Sequence, residues 1–555
     1  MATSDTTSDT TSDTTGDTTG DTTGDTTGDT TSVTTGDARR ARAGLAAAAA
    51  AALVVAGCTA GPSVPGVATG VDDVPFTTPL AIPPLAESRV DADGTRVFTL
   101  TAREGTTEFL DGVETPTWGY DGDYLGPTLR AQRGERVAVE VTNELGEATT
   151  VHWHGMHLPA AMDGGPHQMI DPGETWRPAW TIDQPAATLW YHPHPHGQTE
   201  RHVYNGLAGM FLVDDPAAAP GLPAEYGVDD LPVVVQDKEI DDSGRLTLDD
   251  DGNEPGLLGS TVMVNGTVGA YQEITAELTR LRVLNGSTAR TYGFAFDDGR
   301  PFQLVGTDGG LLAAPHETTR VRLSPGERAE IVVAMEPGET AVLGSYGPDL
   351  GDVAAPAAFG AADSFDVLEL RAAATLRPSP PVPATLAQVE RPAAAEADTT
   401  RELTLAVRQI NGRSMAMDRI DEVVEVGTTE IWEVRGIDAL PHNFHVHDVQ
   451  FHVLDIDGEP PPPELAGRKD TVYLEPRRVY RLIMTFEDYT DPEMPYMYHC
   501  HLLRHEDEGL MGQFVVVGPG QEPRAPSGGA ATGHERDVGD VGDVGDDGHD
   551  GHHGH

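Results

Sequence analysis

The chain has 555 residues, 63 of them Gly and 42 Pro; only 6% are aromatic, and the formal net charge is −53. That length is too great for one hydrophobic core and suits three or four domains of about 150 residues each, while turn formers at this density predict an all-β chain of many short strands. So acidic a surface repels nucleic acid and excludes that class of partner; solubility or a salty habitat accounts for the charge.

Residues 1–37 repeat a four-residue unit, as in Thr6-Thr7-Ser8-Asp9 and Thr18-Thr19-Gly20-Asp21. With almost nothing apolar to bury, the segment is expected to be disordered. Translation from Val33 would leave a signal peptide of ordinary shape. Arg39, Arg40 and Arg42 precede an apolar run from Ala43 to Ala56 and then Gly57-Cys58. A basic head, a short apolar stretch and small residues before a cut site form an export signal, too short to span a membrane. Leu53-Val54-Val55-Ala56-Gly57-Cys58 resembles a bacterial lipobox, which implies a lipid on Cys58 as the sole membrane attachment and a place in the cell envelope, facing outward. Arg39-Arg40 is a weak sign of twin-arginine export. Residues 1–58 are thus low-complexity segment plus signal, and 59–77 a linker. Cys58 and Cys500 lie in such different contexts that no disulfide joins them.

Ten of the 21 histidines fall in four clusters: His152-Trp153-His154, His192-Pro193-His194, His442-Asn443-Phe444-His445-Val446-His447, and His499-Cys500-His501 followed by His505. Each cluster holds one His-x-His. On a strand, residues i and i+2 share a face, so each pair presents two imidazoles on one side. β-prone neighbours such as Ala138-Val139-Glu140-Val141, Thr149-Thr150-Val151 and Thr188-Leu189-Trp190-Tyr191 support strands. Four pairs meeting would gather eight imidazoles, a set that suits Cu, Zn, Fe or Ni.

Cys500 chooses among them. Between His499 and His501, its thiol must point away from both rings. With His442 and His505 it makes the two-His, one-Cys set of a blue-copper electron-transfer site. Zinc is the default metal for a few His and Cys ligands, but a flanked Cys beside four His pairs argues for copper.

With these motifs in this order, residues 78 to 518 resemble the multicopper oxidases: laccases, copper efflux oxidases and spore-coat laccases. Thr117-Trp118-Gly119-Tyr120, Leu125-Gly126-Pro127-Thr128, Asp163-Gly164-Gly165, Asn205-Gly206-Leu207-Ala208-Gly209 and Lys469-Asp470-Thr471 add to the likeness. The resemblance implies three cupredoxin-like Greek-key β-sandwiches: 78–220 and 401–518 copper-bearing, 221–380 structural, and 381–400 a linker. The middle stretch holds Leu323-Ser324-Pro325-Gly326-Glu327-Arg328 and a single histidine, His316. The Gly/Asp/His-rich tail 519–555 is expected to be disordered.

The family pattern further implies four copper ions per chain. His442, Cys500 and His505 would hold the type 1 copper, with Leu510 in the axial, non-coordinating position; a shift by one residue would bring Met511 there instead. His152 and His445 would hold the type 2 copper. His154, His192, His194, His447, His499 and His501 would hold the type 3 pair. Electrons would come in at His442 and cross Cys500, and Asp163 and Glu506 would relay protons to dioxygen. His157, His167, His196, His202 and His452 lie off the ligand pattern, with His196 and His202 expected to border a channel; Trp153 and Trp190 read as packing residues.

The implied partners are dioxygen and a small phenolic or aromatic reductant, or Cu(I), met by a monomer. Metal oxidases of this family often carry a Met-rich insert over the type 1 site; here Met415 and Met417 are the nearest thing, and 355–400 is Ala/Pro-rich. That favours phenols over Cu(I). Scaffold relatives of this fold have lost their ligands, and copper nitrite reductases lack a middle domain, so both are disfavoured.

Overall fold

The computed structural model describes residues 74–216, 218, 221–248 and 255–526. The N-terminal repeat, the export signal with Cys58, residues 59–73 of the linker and the tail from 527 lie outside them. Among the described residues the regular structure is almost entirely β, with two short α-helices and four 3-10 turns. None of these helices is long and apolar enough to cross a membrane.

Six sheets form around three main apolar cores, in chain order. The first sandwich sets the sheet built on Arg96–Leu110 and Arg136–Asn143 against a four-stranded sheet of Leu129–Gln132, Gly209–Asp214, Ala187–His192 and His152–His154. Val137, Val139 and Val141 alternate inward, as the strand period requires, onto Leu100, Trp153 and Phe211. The middle sandwich has two six-stranded sheets around Leu281, Phe294, Ile331 and Leu368. The third has two five-stranded sheets around Leu403, Trp432, Phe444, Leu482 and Phe514. Parallel neighbours occur in all three, Arg96–Leu110 beside Arg136–Asn143 being one example, so the chain crosses between sheets in Greek-key fashion.

The strand Thr78–Pro79 pairs in parallel with Ala270–Tyr271. The chain therefore contributes its first strand to the middle sandwich before it builds the first, a crossing that a domain boundary at residue 78 does not anticipate.

Buried polar contacts join the sandwiches. Arg282, on a middle strand, donates to both oxygens of Asp230 at 2.7 and 3.0 Å, to Glu330 at 3.1 Å and to the Thr188 hydroxyl at 2.8 Å. Thr188 belongs to the strand that ends in His192. Between the first and third sandwiches, the Asp507 carboxylate accepts from the backbone N–H groups of Thr199 (2.8 Å) and Glu200 (2.9 Å), capping the short helix Thr199–Tyr204. Removing one member of a buried charge cluster strands the others. Arg282→Met is expected to cost about 3–5 kcal/mol in denaturant unfolding; a change below about 1 kcal/mol would show that the cluster does not hold this joint.

Candidate metal centre

Two antiparallel pairings bring the histidine clusters together. His152 lies opposite His192 and Trp190 opposite His154 in the first sandwich; His445 lies opposite His499 in the third. The expectation of two imidazoles on one strand face holds fully only for His152 and His154, inside the strand His152–His154. The other pairs straddle strand ends: Ala187–His192, His442–Val446 and Tyr496–His499 each stop before the second histidine. Within these pairs the ring centroids lie 6.3 Å apart for His192 and His194, 5.0 Å for His445 and His447 and 5.5 Å for His499 and His501, against 5.7 Å for His152 and His154. Thr149-Thr150-Val151, expected as strand, forms only an isolated bridge, Thr149 to Ile170.

The nitrogens sort into sets. His499 Nε2 lies 3.2 Å from His194 Nε2 and 3.3 Å from His447 Nε2. His154 Nδ1 lies 3.4 Å from His192 Nε2, with the His501 ring 4.9 and 5.2 Å from theirs. His152 Nε2, His445 Nε2 and both His501 nitrogens are buried without a hydrogen-bond partner. Two imidazole nitrogens each about 2.0 Å from one ion, at tetrahedral angles, stand ~3.3 Å apart. The spacing and the unpartnered nitrogens therefore fit metal ions held in common.

The opposite ring nitrogens are tied down, which fixes ring orientation. His152 Nδ1 reaches the Asp163 carbonyl (3.0 Å), His445 Nδ1 the Asp470 carbonyl (2.8 Å), and His447 Nδ1 the Asp163 carboxylate (2.8 Å). Gly164, at φ +80°, allows the Asp163 turn to close on this strand; a Cβ there would lie 1.7 Å from the Val151 carbonyl oxygen. Burial, reinforced by neighbouring imidazoles, holds His154, His192, His194, His445, His447 and His501 well below the usual histidine range. Burial also takes His499 down to about 3. Neutral rings keep a lone pair for a metal.

Cys500 faces the other way, as strand alternation requires. Its Sγ lies 3.8 Å from His442 Nδ1 and 3.6 Å from His505 Nδ1. His442 Nε2 donates to Asp438 Oδ1 at 3.0 Å. Burial alone would lower the His442 pKa, but Asp438 and Cys500 outweigh it and push it up to about 9. Leu510 is fully buried in the apolar core that includes Cys500. Met511 pairs across the strands with His499, and so shares the face of His499 and not that of the thiol.

Asp163 and Glu506 are both 1% exposed. Glu506 lies 3.3 Å from His194 Nδ1 and 3.2 Å from His499 Nδ1, and both its oxygens lack an aligned hydrogen bond. Burial, and then Asp507, raises its carboxyl well above the usual range.

Other expectations need correction. His202, expected to border a channel, is buried between Thr149 (3.0 Å) and Glu147 (2.8 Å), against the Trp118 ring. His196 is exposed. His167 bonds Gln513 and His452 the Glu390 carbonyl. Trp153 packs on Trp180 and Phe211 as expected, but Trp190 stacks on His192 at 4.1 Å, so it also sets a ligand ring. Asp438 was not singled out from the sequence. An acid four residues before a histidine is too common to mark.

The chain is similar to known proteins. Residues 101–218 and 377–519 match two models described as multicopper oxidase. A multicopper oxidase of Staphylococcus haemolyticus is 34% identical over 79% of this chain and 92% of its own. The cell division protein FtsP of Xenorhabdus nematophila is 36% identical over 79% and 92%. The solved laccase-like multicopper oxidase CueO of Ochrobactrum sp., described as having oxidase activity towards lignin model compounds and lignosulfonate, is 35% identical over 79% and 100%, with a TM-score of 0.72. This chain belongs to the multicopper oxidases, a copper-binding family of oxidoreductases with cupredoxin-like domains, and its histidine clusters fit copper sites.

His157 ties the first cluster to the third sandwich. Its Nδ1 lies 2.7 Å from Asp448 and its Nε2 2.8 Å from Asp488. Burial would lower its pKa, but the two carboxylates win and raise it to about 10. The folded value exceeds the unfolded value of about 6.5, so the stabilisation is complete below about pH 6.5 and is lost as pH rises through 10. The melting-temperature deficit of His157→Gln should therefore be largest at pH 6 and vanish near pH 10. A deficit independent of pH would contradict the charged bridge.

Proposed function

We propose that the chain is a four-copper, laccase-like oxidase that takes single electrons from phenolic or aromatic-amine donors and delivers four to dioxygen, forming water. His442, Cys500 and His505 hold the type 1 copper; His152 and His445 the type 2; and His154, His192 and His501, with His194, His447 and His499, the type 3 pair. One observation carries this reading: Cys500 turns its thiol to His442 and His505 while its two chain neighbours face the histidine cluster. Bound copper supplies the one-electron and dioxygen chemistry.

The chain's own residues do the rest. His442 is 1% exposed and Asp438, its partner, about 20%, so a donor meets the carboxylate before the ring. A phenol O–H or amine N–H can donate to that carboxylate. An electron passing inward crosses the one-residue backbone links from Cys500 to His499 and His501. Glu506, whose carboxyl burial holds well above the usual range, lies beside His194 and His499 and would relay protons for oxygen reduction, and Asp163, bonded to His447 Nδ1, would do so from the other side.

The absence of a methionine-dense insert and the lignin-compound activity of the Ochrobactrum protein support phenols. Cu(I) oxidation is the second reading. Oxygen uptake by the copper-loaded protein with 2,6-dimethoxyphenol and with Cu(I) separates them. Phenol turnover without added copper is expected; phenol turnover only with added copper, beside fast Cu(I) oxidation, would overturn the phenol reading. The FtsP relatives raise a non-catalytic envelope role. The full ligand set argues against it, and fewer than four coppers per chain with no oxygen uptake would favour it. The basic, apolar and Cys58 sequence supports export and lipid anchoring. Leu510, buried in the same apolar cluster as Cys500 while Met511 pairs with His499, would give a type 1 copper no thioether. Leu510→Met should lower its reduction potential and alter its optical and electron paramagnetic spectra; an unchanged potential and spectra would remove Leu510 from the axial position.

A further inference from the structure

The middle sandwich supplies no metal ligand, yet its turn Ser324-Pro325-Gly326-Glu327-Arg328 touches the supports of both metal sets. On one side, Asn443 donates its amide to the Ser324 hydroxyl (3.1 Å) and the Pro325 carbonyl (2.9 Å). The amide oxygen of Asn443 accepts from the His501 backbone N–H at 2.5 Å and lies 3.5 Å from Cys500 Sγ. Gly326, at φ +86°, lies under the His501 ring, where a Cβ would come within 3.1 Å of Nδ1.

On the other side stands Arg328, fully buried. Its two Nη atoms donate to the two oxygens of Asp470 at 2.7 and 2.6 Å, and its Nε to the Thr188 carbonyl at 2.9 Å. The Asp470 carboxylate lies 3.0 Å from His154 Nε2, and the Asp470 carbonyl accepts from His445 Nδ1 at 2.8 Å. Glu327 completes the turn: one oxygen accepts from the Ser324 backbone and hydroxyl at 2.7 Å, the other from Lys469 at 2.8 Å.

A forked, fully charged guanidinium fixes a carboxylate in two dimensions, which an ammonium cannot do. A residue so anchored fixes in turn the rings it bonds, here His154 at the Asp470 carboxylate and His445 at the Asp470 backbone carbonyl. We propose that the Ser324–Arg328 turn positions both copper sets: Arg328 acts through Asp470 on His154 and His445, and Ser324 with Pro325 acts through Asn443 on Cys500 and His501. The inference rests on the copper assignment proposed above. It makes the middle sandwich a working part of the centre and not only a spacer.

The test uses the full copper-loaded chain and two variants. Arg328→Lys keeps the charge and loses the fork. It is expected to shift the type 2 electron paramagnetic hyperfine splitting and to release type 2 copper to a chelator about tenfold faster or more, with the blue absorption of the Cys500 site unchanged. Ser324→Ala is expected to do the converse, shifting the blue band and leaving the type 2 signal alone. An Arg328→Lys protein matching its parent in type 2 splitting and chelator resistance would overturn the proposal. So would loss of all copper signals in step with the thermal midpoint, the result of a purely structural joint. If Arg328→Lys does not fold, Ser324→Ala decides, and an unshifted blue band overturns the proposal. A parent that takes up no copper would overturn the copper assignment and this inference with it, whereas variants indistinguishable from a copper-loaded parent overturn the inference alone.

Discussion

The alternation of three consecutive side chains governs this molecule. His499 and His501 face a cluster of buried imidazoles, and Cys500 between them faces His442 and His505. Two candidate metal sites of different chemistry, a soft sulfur ligand on one side and neutral imidazoles on the other, are thereby held one residue apart by covalent geometry. Domain motion cannot lengthen that link. The rest of the fold can be read as what is required to bring partners from two sandwiches to the two faces of this one strand end.

Burial is the second constraint. Eight or more imidazoles packed together in a dry interior would repel one another if charged, and burial keeps them neutral. The outer nitrogens must still be paired. Asp163 and Asp470 do this with backbone carbonyls as well as carboxylates. Buried carboxylates need cations of their own. Although the chain carries a formal net charge of −53, its two lysines, Lys238 and Lys469, are both buried, as are Arg282, Arg290 and Arg328. Arg282, Arg328 and Lys469 sit at the joints among the sandwiches, where charge pairing specifies one geometry; Arg290 pairs with Asp237 and Asp363 inside the middle one, and Lys238 donates to the Tyr204 carbonyl.

Much of this was legible in the sequence because the chemistry is concentrated. Ten histidines in four short clusters and one flanked cysteine indicate the metal class, and period-two apolar runs such as Val137, Val139 and Val141 indicate the sheets. Less legible was whatever depends on where a strand stops. His194, His447 and His501 each lie just past a strand end, and alternation does not say which rings group: His499 joins His194 and His447, whereas His501 joins His154 and His192. Partners were also hidden, some close in sequence, as Asp438 beside His442 and Trp190 on His192, and some distant, as the Ser324–Arg328 turn beside Asn443 and Asp470. His202, in a cluster-rich stretch, is instead held by Glu147 and Thr149, and nothing in the local sequence marks that difference.

The central claim, that Cys500 is both a ligand of one site and the sole short link to the other, is most directly tested in Cys500→Ser loaded with copper. The account predicts that type 2 and type 3 copper are retained, that the blue absorption is lost, and that oxygen uptake ceases with every reductant. Continued oxygen uptake at a rate near the parent's, with the blue absorption gone, would contradict it.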